Sequence, residues 1–209
     1  MRTKSAILNW TDAQVLEEGR RIRYAYQLKR NLRYHTKRDL SVHSESVAEH
    51  VFALIFLLEY FLPLEDPAGV LDYRTIVQIL LYHDFPEIPH GDVPYVFKTS
   101  ADKERERVAA KEVYQQLPAT SQEIAKESWE AYERRESLEA QFAYALDKIE
   151  PLFELFDPVN EMTPMRLHQT YESHIGKKLE ATIKYPYMRR FVEVLSEDMR
   201  RRGVFWSES

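Results

Sequence analysis

The sequence predicts an all-α fold, a single domain built as a bundle of helices. Apolar residues recur at helical spacing through most of the chain. Only 5 of 209 residues are glycine, too few for the turns of a β-rich architecture. Several segments open on side chains that cap helices. With 44% hydrophobic and 30% charged residues, the chain can bury a core and stay folded. That length suits one domain over 1–209, with a core at about 32–157 and C-terminal helices at 164–202 packed on it.

Thr11-Asp-Ala-Gln starts a helix that runs to about Asn31, with Val15, Leu16, Ile22 and Tyr26 near one face. Leu32 to Ser44 is polar and aperiodic and reads as a loop. Ser46-Val-Ala-Glu49 is a capping box. The helix it opens carries Val47, Val51, Leu54, Ile55 and Leu58 and is expected to end before Pro63. A helix from about Asp72 to Asp84 is apolar nearly all round, through Ile76, Val77, Ile79, Leu80 and Leu81, as a central helix would be. Phe85 to Pro94 holds three prolines and a glycine, so it is a structured loop. A charged helix follows from about Ala101 to Leu117. Thr120-Ser-Gln-Glu123 reads as a second capping box, opening a helix to about Arg135. Ser137 to Phe156 is helical, with Pro151 expected to kink or restart it. Pro164 to Ile175 and Lys178 to Arg202 complete the set, with Pro186 a candidate break in the latter.

Net charge is −5 and the sequence pI about 5.9, which argues against binding a nucleic acid polymer through its backbone. The basic run Arg20 to Arg38 reads as a solvated helix face or a local phosphate contact. With no cysteine, disulfides, thiolate zinc sites and a cysteine nucleophile are excluded. The N-terminus lacks the apolar core of a signal peptide. The apolar run Val51 to Leu58 is too short to cross a bilayer. No membrane partner and a cytoplasmic location are therefore expected.

The chemistry begins at His83-Asp84, an imidazole and a carboxylate closing an otherwise apolar helix. His50 lies beside Val51 and one turn from Val47 and Leu54, so it points near the core. Asp147 flanks the apolar stripe of its own helix, where Glu139, Glu150 and Glu154 are rival carboxylates. Burying an ionised carboxylate costs several kcal/mol unless a cation compensates it. Histidine nitrogen and carboxylate oxygen suit one divalent transition-metal ion such as Co, Mn, Fe, Ni or Zn.

His50, His83-Asp84 and Asp147 resemble the H…HD…D signature of the HD-domain metal-dependent phosphohydrolases. Ser46-Val-Ala-Glu-His50, Tyr82-His-Asp-Phe-Pro-Glu87 and Gly91-Asp-Val-Pro94 with Lys98 resemble one branch, the YfbR-like 5′-deoxynucleotidases and their HDDC2-type relatives. The likeness runs from about Leu32 to Lys98 and returns at Asp147. It implies an HD-type bundle with a central buried metal site held by His50, His83, Asp84 and Asp147. It implies that Glu87 and Asp92 act in catalysis, around the water and the leaving oxygen. Lys98 falls where relatives meet phosphate. An Arg-Trp pair that contacts phosphate and base in relatives has no exact counterpart. Asn31-Leu-Arg-Tyr-His35 offers Arg33 with Tyr34, and Tyr34 or His35 to stack on a base. The implied reaction removes phosphate from a nucleoside 5′-monophosphate, a deoxyribonucleotide by branch, by attack of a metal-activated water. A homodimer is implied as well. Two alternatives stay open: a nucleotide pyrophosphohydrolase, and a non-catalytic metal-stabilised module that binds a nucleotide. The other histidines form no second HD-like pair, which favours one ion. His90, in the Phe85 to Pro94 loop, is a further candidate for the site.

Overall fold

The computed structural model describes residues 45–94, 97–155 and 160–207. All regular elements among them are helical: α1 (Val47–Glu65), α2 (Tyr73–Tyr82), a 3₁₀ turn (Phe85–Glu87), α3 (Ser100–Gln116), α4 (Ala119–Arg134), α5 (Leu138–Glu154), α6 (Thr163–Arg166), α7 (Tyr171–Ala181) and α8 (Pro186–Arg201). The expected helix from Thr11 to Asn31 and the loop after it lie outside the described residues.

The Ser46 capping box forms as its sequence requires. The Glu49 amide donates to Ser46 Oγ at 3.2 Å, and the Ser46 amide donates to Glu49 Oε2 at 2.7 Å. The helix it opens does not stop before Pro63 but runs to Glu65. A proline this close to the end removes one ladder bond and little else. The Asp66 amide still closes on Leu62 O at 2.8 Å, and the Asp66 carboxylate accepts from the Val70 and Leu71 amides. At 19 residues, α1 is also long and apolar enough to cross a membrane by length and composition, unlike the shorter run the sequence suggested. Its Val47, Leu54, Leu58 and Phe61 are fully buried in the core, while Phe52, Phe56 and Tyr60 on another face are exposed.

Asp72 caps α2, accepting from the Thr75 amide at 3.1 Å. The helix buries Ile76, Ile79 and Leu80 and leaves Leu81 exposed, so it is less enclosed than its composition suggests. It packs on α1, α4 and α5. A main core joins Leu54 and Leu58 of α1, Ile79 of α2, Phe142 and Leu146 of α5, and Met188 of α8. Burial of each such side chain stabilises the fold by about 1.5–3 kcal/mol. A second cluster sets Phe85 among Val47, Ala110, Val113 and Tyr114. It pins the turn after α2 onto α3.

The capping box expected at Thr120 does not form. α4 starts at Ala119 behind Pro118, with no side-chain cap, and Thr120 lies inside the helix. Gln122 instead donates to Leu117 O at 2.9 Å and ties the helix start back to α3. The second box sits at Thr99, with Asp102 as its reciprocal partner. α5 continues through Pro151 without restarting. Its C-terminal neighbours divide differently from expectation. Thr163–Arg166 is a short helix, α7 begins behind the Thr170 cap, and Pro186 opens α8 at the position where proline fits a helix best.

Candidate metal centre

Three helices deliver the candidate ligands to one point. His50 is the fourth residue of α1 and fully buried; its position follows from the Ser46 cap. His83 is the C-cap of α2, and Asp84 follows where the helix ends in the 3₁₀ turn. Leaving the helix there frees adjacent side chains from their 100° divergence, so both face the same space. Asp147 projects from the middle of α5.

The distances are short and reciprocal. His50 Nε2 lies 3.2 Å from Asp147 Oδ1 and 3.8 Å from Asp84 Oδ2. His83 Nε2 lies 3.2 Å from Asp84 Oδ1 and 3.8 Å from Asp147 Oδ1. The outer ring nitrogens are already committed. His50 Nδ1 donates to Glu150 Oε2 at 2.8 Å. His83 Nδ1 donates to Leu80 O at 2.9 Å, and a carbonyl can only accept. With Nδ1 engaged on the outer side, each ring turns its Nε2 inward, towards two carboxylates. Carboxylates brought together in a buried site repel unless a cation lies among them. His83 Nε2 has no hydrogen-bond partner among the described residues. Donors of one ion bound at about 2.0–2.2 Å stand about 3–3.5 Å apart; the two 3.2 Å separations match this and the two 3.8 Å ones are slightly wider. The set fits a divalent cation.

The surrounding groups hold that arrangement. Tyr132 Oη and Lys148 Nζ both donate to Asp147 Oδ2, leaving Oδ1 for the histidines. Burial alone would raise the Asp147 carboxyl. Contacts led by the Lys148 ammonium overcome that and hold it well below the usual range, so it stays ionised. Burial, then the Asp147 charge, pushes the Tyr132 phenol up and keeps it a donor. Behind His50, Glu45 and Glu150 are both buried, with ligand atoms of all three within 4.8 Å of one another.

The ligand pair opens into a pocket of about 280 Å³. His83, Asp84, Asp147, Glu87, Asp92 and Lys98 all line it. Gly91 sits at φ +78°, a conformation glycine adopts without strain, and its amide donates to Glu87 O at 2.7 Å. That turn sets Asp92 beside Glu87. Burial, then the neighbouring Asp84 and Asp92 charges, raises the Glu87 carboxyl well above the usual carboxylate range. Lys98 is half-buried and meets Glu106 Oε1 at 2.6 Å. Burial alone would lower its pKa, but Glu106 foremost, with Asp84, keeps it raised and charged. His90 is exposed and does not line the pocket. Arg33, Tyr34 and His35 lie outside the described residues.

A family model described as the HD domain matches residues 25–184. The chain belongs to the HD-domain family. The bovine protein named 5′-deoxynucleotidase HDDC2 is 31% identical to it over 136 residues, 64% of each chain. The Xenopus laevis protein of the same name is 26% identical over 157 residues, 74% of this chain and 73% of its own. The match to the bovine relative thus spans just under two thirds of that protein's length. Among solved HD-fold structures, one described as a predicted metal-dependent phosphohydrolase from Magnetospirillum magnetotacticum superposes with a TM-score of 0.74 at 26% identity. It covers 94% of this chain and 100% of that one. An HD-domain phosphohydrolase from Listeria innocua, at 21% identity and TM-score 0.55 over 87% of this chain and 97% of its own, shares the fold.

Glu150, Tyr132 and Lys148 were not singled out as working parts of the site in the sequence. Glu150 carried a signal: it follows Asp147 by three residues and so shares its helix face. Replacing Glu150 with alanine is expected to weaken divalent-ion affinity about 10–100-fold by releasing His50. Competition against a chromogenic chelator measures this, and an unchanged affinity would show that Glu150 does not orient the imidazole.

Proposed function

We propose that this protein is a metal-dependent phosphohydrolase that removes phosphate from a nucleoside 5′-monophosphate, with deoxyribonucleotides as the preferred class. One observation carries the reading: His83, Asp84 and Asp147 line a single pocket with Glu87, Asp92 and Lys98, and fully buried His50 meets Asp84 and Asp147 from behind. The names of the relatives support the class of reaction.

His50, His83, Asp84 and Asp147 would hold the ion. When bound it would supply positive charge for the phosphoryl oxygens and acidify water. Lys98 draws the phosphate into the pocket as a fixed point charge. Asp92, nearer the opening, orients the attacking water and takes its proton. The water oxygen forms a bond to phosphorus while the bond from phosphorus to the ribose oxygen breaks. Glu87 retains a proton through burial and gives it to that leaving oxygen, so the products are orthophosphate and a nucleoside. Pro86 and Phe85, both buried, keep this carboxyl in place.

The test is a phosphate-release screen over nucleoside 5′-monophosphates with Mn²⁺, Co²⁺ or Zn²⁺ added to chelator-treated protein. Orthophosphate release that stops with chelator and returns with metal is the expected result. No turnover of any phosphomonoester with any of these ions would overturn the reading.

A further inference from the structure

The pocket continues beyond Glu87 and Asp92 onto a wall that phosphate removal leaves unused. α7 packs on α5 and brings His174, Lys177 and Lys178 to the lining. Lys103 of α3 lines it too, and Lys148 of α5, engaged by Asp147, borders it. On α7 no described carboxylate reaches the lining, whereas Glu106 and Glu133 line the pocket elsewhere.

Ammonium groups gathered in a half-enclosed cleft repel more strongly than they would in water. Lys177 feels this: burial first, then Lys148, Lys103 and Lys98, hold its pKa below the ordinary lysine value. Lys178 is only 3% exposed, and its ammonium donates to His174 O at 3.1 Å. His174 is 1% exposed, and neither ring nitrogen has a hydrogen-bond partner among the described residues. Burial, then the Lys178 charge, keeps the ring neutral, so one nitrogen carries a proton to donate. Buried polar atoms are normally satisfied, and one left bare on a pocket wall marks a place for a ligand atom. Concentrated positive charge beside an unsatisfied donor calls for an anion of high charge.

We propose that the wall formed by Lys103, Lys177, Lys178 and His174 binds a second phosphate group, which widens the substrate class beyond 5′-monophosphates: small molecules with a phosphate besides the one removed bind more tightly than monophosphates. This rests on the phosphohydrolase reading for the first phosphate and on separate residues for the second. No bond changes at the wall. The second phosphate could be joined to the first, as in a nucleoside 5′-diphosphate, or stand at another sugar position, as in a 3′,5′-bisphosphate.

The experiment measures dissociation constants by calorimetry for dAMP, dADP and 2′-deoxyadenosine 3′,5′-bisphosphate. It uses the full chain carrying Glu87→Gln, with Mn²⁺ in excess of nucleotide. At least one two-phosphate ligand is expected to bind about tenfold or more tighter than dAMP, the range of one or two charge-assisted contacts. Comparing dADP with the bisphosphate tells which arrangement the wall fits. Lys177→Ala and Lys178→Met, each added to that background, are expected to bring the affinity ratio towards one. Lys177 is exposed, so its variant tests the wall even where loss of buried Lys178 unfolds the chain. A ratio near one before substitution overturns the proposal. So does a ratio that survives the lysine changes, since general damage weakens all three ligands alike. Phosphate release by the unsubstituted chain on the same panel is read separately. A preserved binding preference without release sinks the phosphohydrolase reading and leaves the wall standing. Release with no binding preference does the reverse.

Discussion

Replacing His83 with alanine is expected to yield a folded protein that no longer retains a divalent ion. His83 Nε2 is buried and has no hydrogen-bond partner among the described residues, so the fold loses little polar bonding with it. The single bond given up inside the chain is the one from Nδ1 to Leu80 O. The ion would lose one of four inward donors, while Asp84 and Asp147 would remain as close carboxylates with less charge compensation. The drop in affinity should exceed the roughly 10–100-fold expected on losing an outer partner. Metal analysis after gel filtration measures it. Full metal content in this variant would remove His83 from the ligand set.

Glu87→Gln separates chemistry from metal binding. The amide keeps the shape of the carboxyl but has no proton of the right acidity to give. Full metal content with phosphate release slowed about 10²–10⁴-fold is the expected outcome. The pH profile carries the sign. Burial and the nearby Asp84 and Asp92 charges raise the Glu87 pKa, so the protonated form persists above the ordinary carboxylate range. Activity that depends on that proton falls as pH rises through the raised value. Steady-state rates across pH should show this alkaline limb in the parent and not in the glutamine variant. An unchanged rate would take Glu87 out of the mechanism.

Local signals in the chain carried most of this site. Ser46 with Glu49 predicts where α1 begins, and that start sets where His50 points. An imidazole and carboxylate ending the apolar α2 have no packing reason to be there, which is why the pair stood out. Boundaries were harder where backbone bonding decides them. Pro63 lies in a helix because the Asp66 cap closes the turn around it. Thr99 escaped notice because its reciprocal partner is aspartate rather than glutamate. What remained hidden depends on contacts between distant segments. Nothing near Tyr132 reveals that its hydroxyl meets Asp147, and nothing near Lys177 reveals that α7 packs over α5. The choice among Asp147, Glu150 and Glu154 likewise needed the partner helices. Two of the three carboxylates face His50, one towards each ring nitrogen.

The inward donors come from residues 50, 83, 84 and 147, on helices that meet only in the folded chain. An unfolded chain offers no equivalent grouping, so mass action ties the ion to the native state. Free metal at 100 times its dissociation constant would add about 2.7 kcal/mol to unfolding. Chelator is therefore expected to act as a mild denaturant of this protein, which makes heat resistance a gauge of ion supply.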